Sequence, residues 1–275
     1  MSASPVSSAM PVAEHLRELR RRLVSSGAAI AIGMAIGWIY YIQIFAWLSK
    51  PFNAAVQQAQ SEGRTVTLAL TGVADPFVLQ VQVAAVAGLV LSSPVWLYQT
   101  WRFVTPGLHR NERRWSIGFV GVATPLFLGG VLLAYAILPV GLELLLGFTP
   151  DNVENIVSVD RYLSFFLRTV LVFGIGFLAP LLLVVLNFAG ILTGKRLASW
   201  WRWIILAVMV FAAVATPTGD PINMVLLGAP MLLLIVLAIL VSLANDRRRQ
   251  RRARKLGEDG ALDYEAFDDN QASPL

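Results

Sequence analysis

The run HLRELRRRLVSSGAAIAIGMAIGWIYYIQIFAWL (residues 15–48) decides the fold. Its first eight residues hold four arginines and one carboxylate, Glu18; from Leu23 to Leu48 there is no charge at all. A helix needs roughly 20 apolar residues to cross the hydrocarbon core. The apolar residues here are continuous rather than alternating, so the run reads as a membrane-spanning helix. A basic segment before an apolar run also marks a cleaved signal peptide, and Arg21-Arg22 resembles a twin-arginine export signal. The run is longer than a signal's apolar region and further spans follow, which makes it an uncleaved first helix.

Working outward, five more segments reach similar length: 76–101, 115–140, 162–188, 197–215 and 222–243. The chain is 56% hydrophobic and 14% charged, with a mean hydropathy of +0.65, beyond what a water-soluble globule of this length carries. The expected class is all-α: a polytopic membrane protein of six transmembrane helices. The net charge of +5 could signal nucleic acid, but its distribution argues for topology instead. Of 22 basic residues, 18 fall in the amino-terminal segment, the 102–114 segment, the 195–202 segment and the 247–255 run. The alternate segments hold only Lys50, Arg64, Arg161 and Arg168. Under the positive-inside rule both termini are then cytoplasmic.

Local signals refine the spans. Asp75 reads as a helix N-cap with Pro76 at the first helical position. Pro94 and Pro180 stand inside spans two and four and should kink or break them. Gly33 and Gly37 form a GxxxG pair, a mark of close helix packing. The fifth span holds about 15 strongly apolar residues, or about 22 Å against a core of about 30 Å, short enough that it must thin the bilayer locally or hide behind neighbouring helices. The expected organisation is a loose amino terminus over 1–13, a membrane domain over 14–243, and a disordered, basic then acidic tail over 244–275 that lies beside anionic lipid.

Catalytic signatures are missing. The sequence has no P-loop, HExxH or GxSxG motif and no cysteine, and both histidines lie in polar segments. No enzyme activity, metal or cofactor is expected. A small-solute or ion transporter is the rival reading, since ionisable residues inside membranes mark ion paths. Arg168 is the candidate there, against the simpler reading of an arginine that snorkels to the nearer interface. Glu18 neighbours Arg21 and Arg22 at i+3 and i+4, the spacing of a solvated ion pair worth well under about 1 kcal/mol. Glu112, before the third span, can likewise pair with Arg113 or Arg114.

Taken together these residues resemble the TatC family, the TatC subunit of the twin-arginine protein translocase. HLRELRRR (residues 15–22) is similar to the family's amino-terminal HLxELRxR motif, and SPVWLYQTWRFVTPGL (residues 93–108) through Glu112 to its first cytoplasmic loop. Further matches are Lys50-Pro51-Phe52, Tyr162-Leu163-Ser164-Phe165, Phe173-Gly174, and Thr216-Pro217 with Asp220. The resemblance implies a concave, glove-like bundle in a bacterial plasma membrane that receives twin-arginine signal peptides and exports folded proteins on the proton motive force. It implies that Glu18 and Glu112 accept the guanidinium pair, with Phe103 shaping the site and Arg20 contributing. TatA- and TatB-type single-span subunits, self-association and no nucleic acid follow as partners. Pro51, Pro94, Pro180 and Asp220 take structural roles. One departure stands out: the family's glutamate in span four is Leu178 here, so Arg168, Gln80 or Gln82 is expected to supply the partner contact inside the membrane.

Overall fold

The computed structural model describes residues 12–61, 65–104, 112–150, 153, 155–215 and 221–269. Asp220, Pro217 and the segment 105–111 lie outside them, as do the side chains of 112–116. The chain forms two compact units, residues 1–178 with 213–226, and residues 179–212 with 227–275.

The first unit holds helices α1 (Val12–Ile39) and α2 (Tyr41–Ser61), strand β1 (Val66–Ala69), helices α3 (Asp75–Leu91), α4 (Ser93–Val104) and α5 (Glu112–Gly147), strand β2 (Asn155–Ser158) and helix α6 (Val159–Gly176). The second is built on α7 (Ala179–Phe188), α8 (Gly194–Ser199), α9 (Trp201–Ala215) and α10 (Pro221–Asp269). Four helical stretches are long and apolar enough to cross a membrane: Leu16–Ile39, Ile117–Gly147, Val159–Phe188 and Gly228–Arg251. The pair α3 and α4, bent by 60°, makes a fifth if taken as one span, and Trp201–Val214 is apolar but shorter. At 15 residues α9 is about 22 Å long, the shortness expected of that segment.

Several boundaries differ from the sequence reading. The first span ends at Ile39, Tyr40 is a turn, and residues 41–48 open the separate helix α2. Asp75 is the first residue of α3 rather than its N-cap; Ala74 caps, and the Asp75 carboxylate instead accepts the backbone N–H groups of Thr71 and Gly72. The tail expected to be disordered from 244 continues α10 to Asp269, consistent with its content of arginine, lysine, alanine and glutamate, all strong helix formers.

The fold is also not wholly helical, because β1 and β2 pair over four residues, Val66 with Asn155 through Ala69 with Ser158. The pairing is parallel for a mechanical reason. Each strand leads into a helix, α3 and α6, and these run side by side in one direction, with Thr71 meeting Ser158 at their start and Gln82 meeting Ser164 further on.

Proline placement explains the breaks. Span two breaks at Ser92 so that Pro94 falls in the first turn of α4, where its missing N–H costs nothing. The carbonyl of Leu89, close to the break, accepts the Trp96 indole N–H at 3.0 Å. Span four breaks between Gly176 and Ala179, which puts Pro180 at the start of α7. Pro51 lies within α2 and cannot donate to the carbonyl of Trp47, four residues back. Tyr135 of α5 donates its hydroxyl to that carbonyl at 3.1 Å, and its ring stacks on Trp47 at 3.8 Å. Tyr162 of α6 donates to the next carbonyl, Leu48, at 2.9 Å, with Phe52 against its ring at 5.0 Å. The Lys50-Pro51-Phe52 and Tyr162-Leu163 motifs are thus two halves of one joint.

Close helix contacts are set by glycine. Gly33 of α1 meets Gly88 of α3, and Gly130 and Gly174 bring α5 and α6 together around Phe127 and Phe173. Phe127, Phe166, Leu163 and Val83 are fully buried in this core. In the second unit Val208 of α9 packs with Met231 and Ile235 of α10.

Candidate functional site

Glu18 sits near the start of α1 with its carboxylate gripped by Arg22 one turn on. Both the Arg22 Nη2 and, at 3.2 Å, its Nε donate to Glu18 Oε1. The pair is not a solvated one: the Arg22 side chain is only 9% exposed and Glu18 26%. Arg22 also donates Nη1 to the carbonyl of Gln99 on α4 at 3.5 Å, and the Gln99 amide donates to Ser25 Oγ at 3.1 Å. A guanidinium suits this place because its planar fork donates in several directions at once, which an ammonium cannot reproduce. Burial changes the energetics as well. A solvated i,i+4 pair contributes a few tenths of a kcal/mol, whereas stripping a buried guanidinium of its carboxylate costs on the order of 3 kcal/mol.

Phe103 lies one turn beyond Gln99 on α4 and is half-buried. Glu112 is the first residue of α5. Two ring contacts fix α4 against α5: Trp101 stacks on Phe119 at 3.9 Å, and Trp96 meets Phe127 edge-on at 5.4 Å. These contacts make α4 and α5 antiparallel, as the glycine contacts make α1 and α3. Following both pairs along their helices carries Glu18 and Glu112 to the same end of the first unit. Arg20 is exposed and, two residues from Glu18, falls on a different face of α1; the arginine set against Glu18 is Arg22. The sequence left Arg21 and Arg22 as equal candidates to neighbour and orient Glu18. The signal for the further contact of Arg22 was the polar Gln99 in an otherwise apolar span.

Within the apolar region, Ser164 of α6 donates to Gln82 Oε1 of α3 at 3.2 Å, and Arg168 follows Ser164 by one turn. Arg168 is exposed and makes no ion pair among the described residues. Gln80 is half-buried two residues before Gln82, and Leu178 is half-buried in the break after α6. Gln82 and Arg168 thus share one neighbourhood through Ser164, away from Leu178. Among the described residues no group of three or more histidines, aspartates or glutamates could hold a metal ion.

Residues 14–230 match the family model of the Sec-independent protein translocase protein (TatC). The chain belongs to the TatC family. It is 43% identical to the Sec-independent protein translocase protein TatC of Frankia casuarinae, over 98% of this chain and 73% of that one. The TatC protein of Aquifex aeolicus is 36% identical, over 88% of this chain and 98% of its own. A crystal structure of the twin arginine translocase receptor TatC in DDM superposes with a TM-score of 0.68 at 35% identity, covering 83% of this chain and 99% of that one. TatC membership makes the chain a multi-pass membrane component of a protein translocase, a transport protein rather than a catalyst.

Proposed function

We propose that this TatC-family chain is the receptor and core subunit of a twin-arginine translocase, binding signal peptides through Glu18 and Glu112. The observation that carries the reading is the Glu18–Arg22–Gln99 linkage, which ties the amino-terminal carboxylate to the helix bearing Phe103. Arg22 holds the Glu18 carboxylate in place, and an arriving pair of guanidinium groups would share that carboxylate and Glu112 through charge-assisted, bidentate hydrogen bonds. Phe103 offers an apolar wall beside them, and Arg20, exposed on the neighbouring face of α1, contributes to the site. Six spans with both termini in the cytoplasm place this end of the protein where precursors arrive, at the plasma membrane. Folded cargo then crosses with TatA- and TatB-type partners on the proton motive force, at the concave bundle of a self-associating subunit.

The test is photocrosslinking in detergent from positions flanking Glu18 and Glu112. A twin-arginine peptide should label both, and a twin-lysine peptide neither; equal labelling by the two peptides, or none, rejects the receptor reading. Inside the membrane, Arg168 with Gln82 and Gln80 supplies the polar contact to a single-span partner that Leu178 cannot. Arg168→Leu should then reduce transport by about tenfold, the loss of one desolvated polar contact, while leaving peptide binding unchanged. Normal export by that variant would remove Arg168 from the partner site.

A further inference from the structure

The second unit contains a polar knot outside the site described above. Asn187, near the end of α7 and 1% exposed, donates to Asp246 Oδ1 of α10 and to the carbonyl of Leu192, both at 2.9 Å, and accepts from Asn245 Nδ2 at 3.0 Å. The second Asp246 oxygen accepts the backbone N–H of Gly194, the first residue of α8, at 2.6 Å. Arg249, three residues along α10, donates to the carbonyl of Phe188, the last residue of α7, at 2.7 Å. The charges match the helix ends they meet, a carboxylate at the amino end of α8 and a guanidinium at the carboxyl end of α7. Gly190 turns the chain between them at φ +79°, and Gly194 lies so close to α10 that a Cβ there would be 2.7 Å from the Leu243 nitrogen. The turn between α7 and α8 is therefore seated firmly on α10.

This seating collects charge. Lys195 and Arg196 follow Gly194, and Arg247 and Arg248 follow Asp246, so bonding Gly194 to Asp246 brings four exposed cations from two helices together. The one acid among them is engaged as a cap. The same edge is where the apolar stretches Trp201–Val214 and Gly228–Arg251 end. Trp200, Trp201 and Trp203 are exposed beside it, with the Arg202 guanidinium over the Trp201 ring at 5.5 Å.

We propose that the rim formed by Lys195, Arg196, Arg247 and Arg248, assembled by the Asn187–Asp246–Gly194 clasp, binds the headgroups of anionic phospholipids. Indole rings favour the boundary between hydrocarbon and headgroup, and cations at that depth attract anionic lipid. Lys195 with Arg196 and Arg247 with Arg248 are neighbours in sequence, so on each helix the two side chains leave about 100° apart, which suits several lipid phosphates better than a single free anion. Because the clasp fixes α8 on α10, the two halves of the rim meet the membrane surface together. The inference rests on the membrane disposition of α9 and α10 and not on signal-peptide recognition.

The full chain in a neutral detergent, titrated separately with phosphatidylglycerol, phosphatidylcholine and inorganic phosphate, tests this by native mass spectrometry. Phosphatidylglycerol should bind about tenfold more tightly than phosphatidylcholine. The variant K195Q/R196Q/R247Q/R248Q should lose that preference while keeping its helix content and its affinity for a twin-arginine peptide. Asp246→Ala, which frees the turn but leaves every rim cation in place, should lose part of it. Equal binding of the two lipids, or a preference that survives the four glutamines, overturns the assignment. Displacement of phosphatidylglycerol by inorganic phosphate at equal concentration would mark a free-anion site and overturn it as well.

Discussion

Replacing both Glu18 and Glu112 by glutamine is expected to weaken binding of a twin-arginine peptide by at least about 100-fold. Each carboxylate accepting a guanidinium fork contributes about 1.5–3 kcal/mol, so one substitution alone costs at least about tenfold. Glutamine keeps the size and one acceptor oxygen but discards the charge, which separates electrostatic recognition from shape. Fluorescence anisotropy with a labelled peptide measures the loss, and a twin-lysine peptide supplies the internal control. The native chain should discriminate between the two peptides, and the double variant should bind both with similarly poor affinity. An unchanged affinity for the twin-arginine peptide would show that neither carboxylate meets the signal. Glu18→Gln carries a further consequence, since it leaves the buried Arg22 with a weaker partner. Its thermal stability should therefore fall further than that of Glu112→Gln, and the two effects separate because peptide affinity can be measured well below the transition.

The second large effect is structural. Gly88→Leu should destabilise the first unit by about 3 kcal/mol, at the upper end of what overpacking a close contact costs. A Cβ at Gly88 would stand 2.6 Å from the Met34 nitrogen and 2.8 Å from the Ile30 carbonyl oxygen, and one at Gly33 would stand 2.7 Å from the Gly88 oxygen. These neighbours are backbone, which cannot rotate out of the way, so α1 must part from α3. Gly118→Ala and Gly121→Ala provide the contrast, because a Cβ at either meets nothing within 4 Å. Both should melt at or slightly above the native temperature, since alanine favours a helix by about 1 kcal/mol over glycine. Melting in detergent, followed by loss of monodisperse protein, reads the difference. Peptide affinity should fall with Gly88→Leu too, because α1 carries Glu18 and α3 leads directly into α4. A Gly88→Leu chain as stable as the native one would show that α1 and α3 do not pack at that contact.

Much of this was legible in the order of residues. The apolar segments became helices in nearly the places their composition marks, because lipid leaves the backbone no other partner than itself. Pro94 and Pro180 located two breaks, since a ring without an N–H cannot sit inside an unbroken ladder. The Gly33-Gly37 spacing announced a close helix pair. The helix break at Tyr40 was not legible, for the apolar run continues through it without a charge or proline. Nor was the β1–β2 ladder: four residues in each of two connections carry too little pattern to reveal pairing with a segment some 90 residues away.

The candidate site divides in the same way. Glu18 could be singled out because a carboxylate among four arginines at a membrane edge is unusual, and Glu112 because it repeats that setting. Which arginine serves Glu18 could not be read, since Arg21 and Arg22 are both within helical reach. The choice falls to Arg22 because its side turns toward α4, where burial and the Gln99 carbonyl await it. Asp246 gave no signal at all, as one acid before a basic run looks like a solvated residue until the turn from Phe188 to Gly194 folds onto it. By itself the sequence determined the class of protein, its helices and the carboxylates to examine, because those depend on local hydropathy and charge. Only the tertiary structure decided the pairings, Arg22 with Glu18 and Gln99, Tyr135 with Trp47, Asp246 with Gly194, because a buried polar group takes whichever partner the packing of distant helices delivers to it.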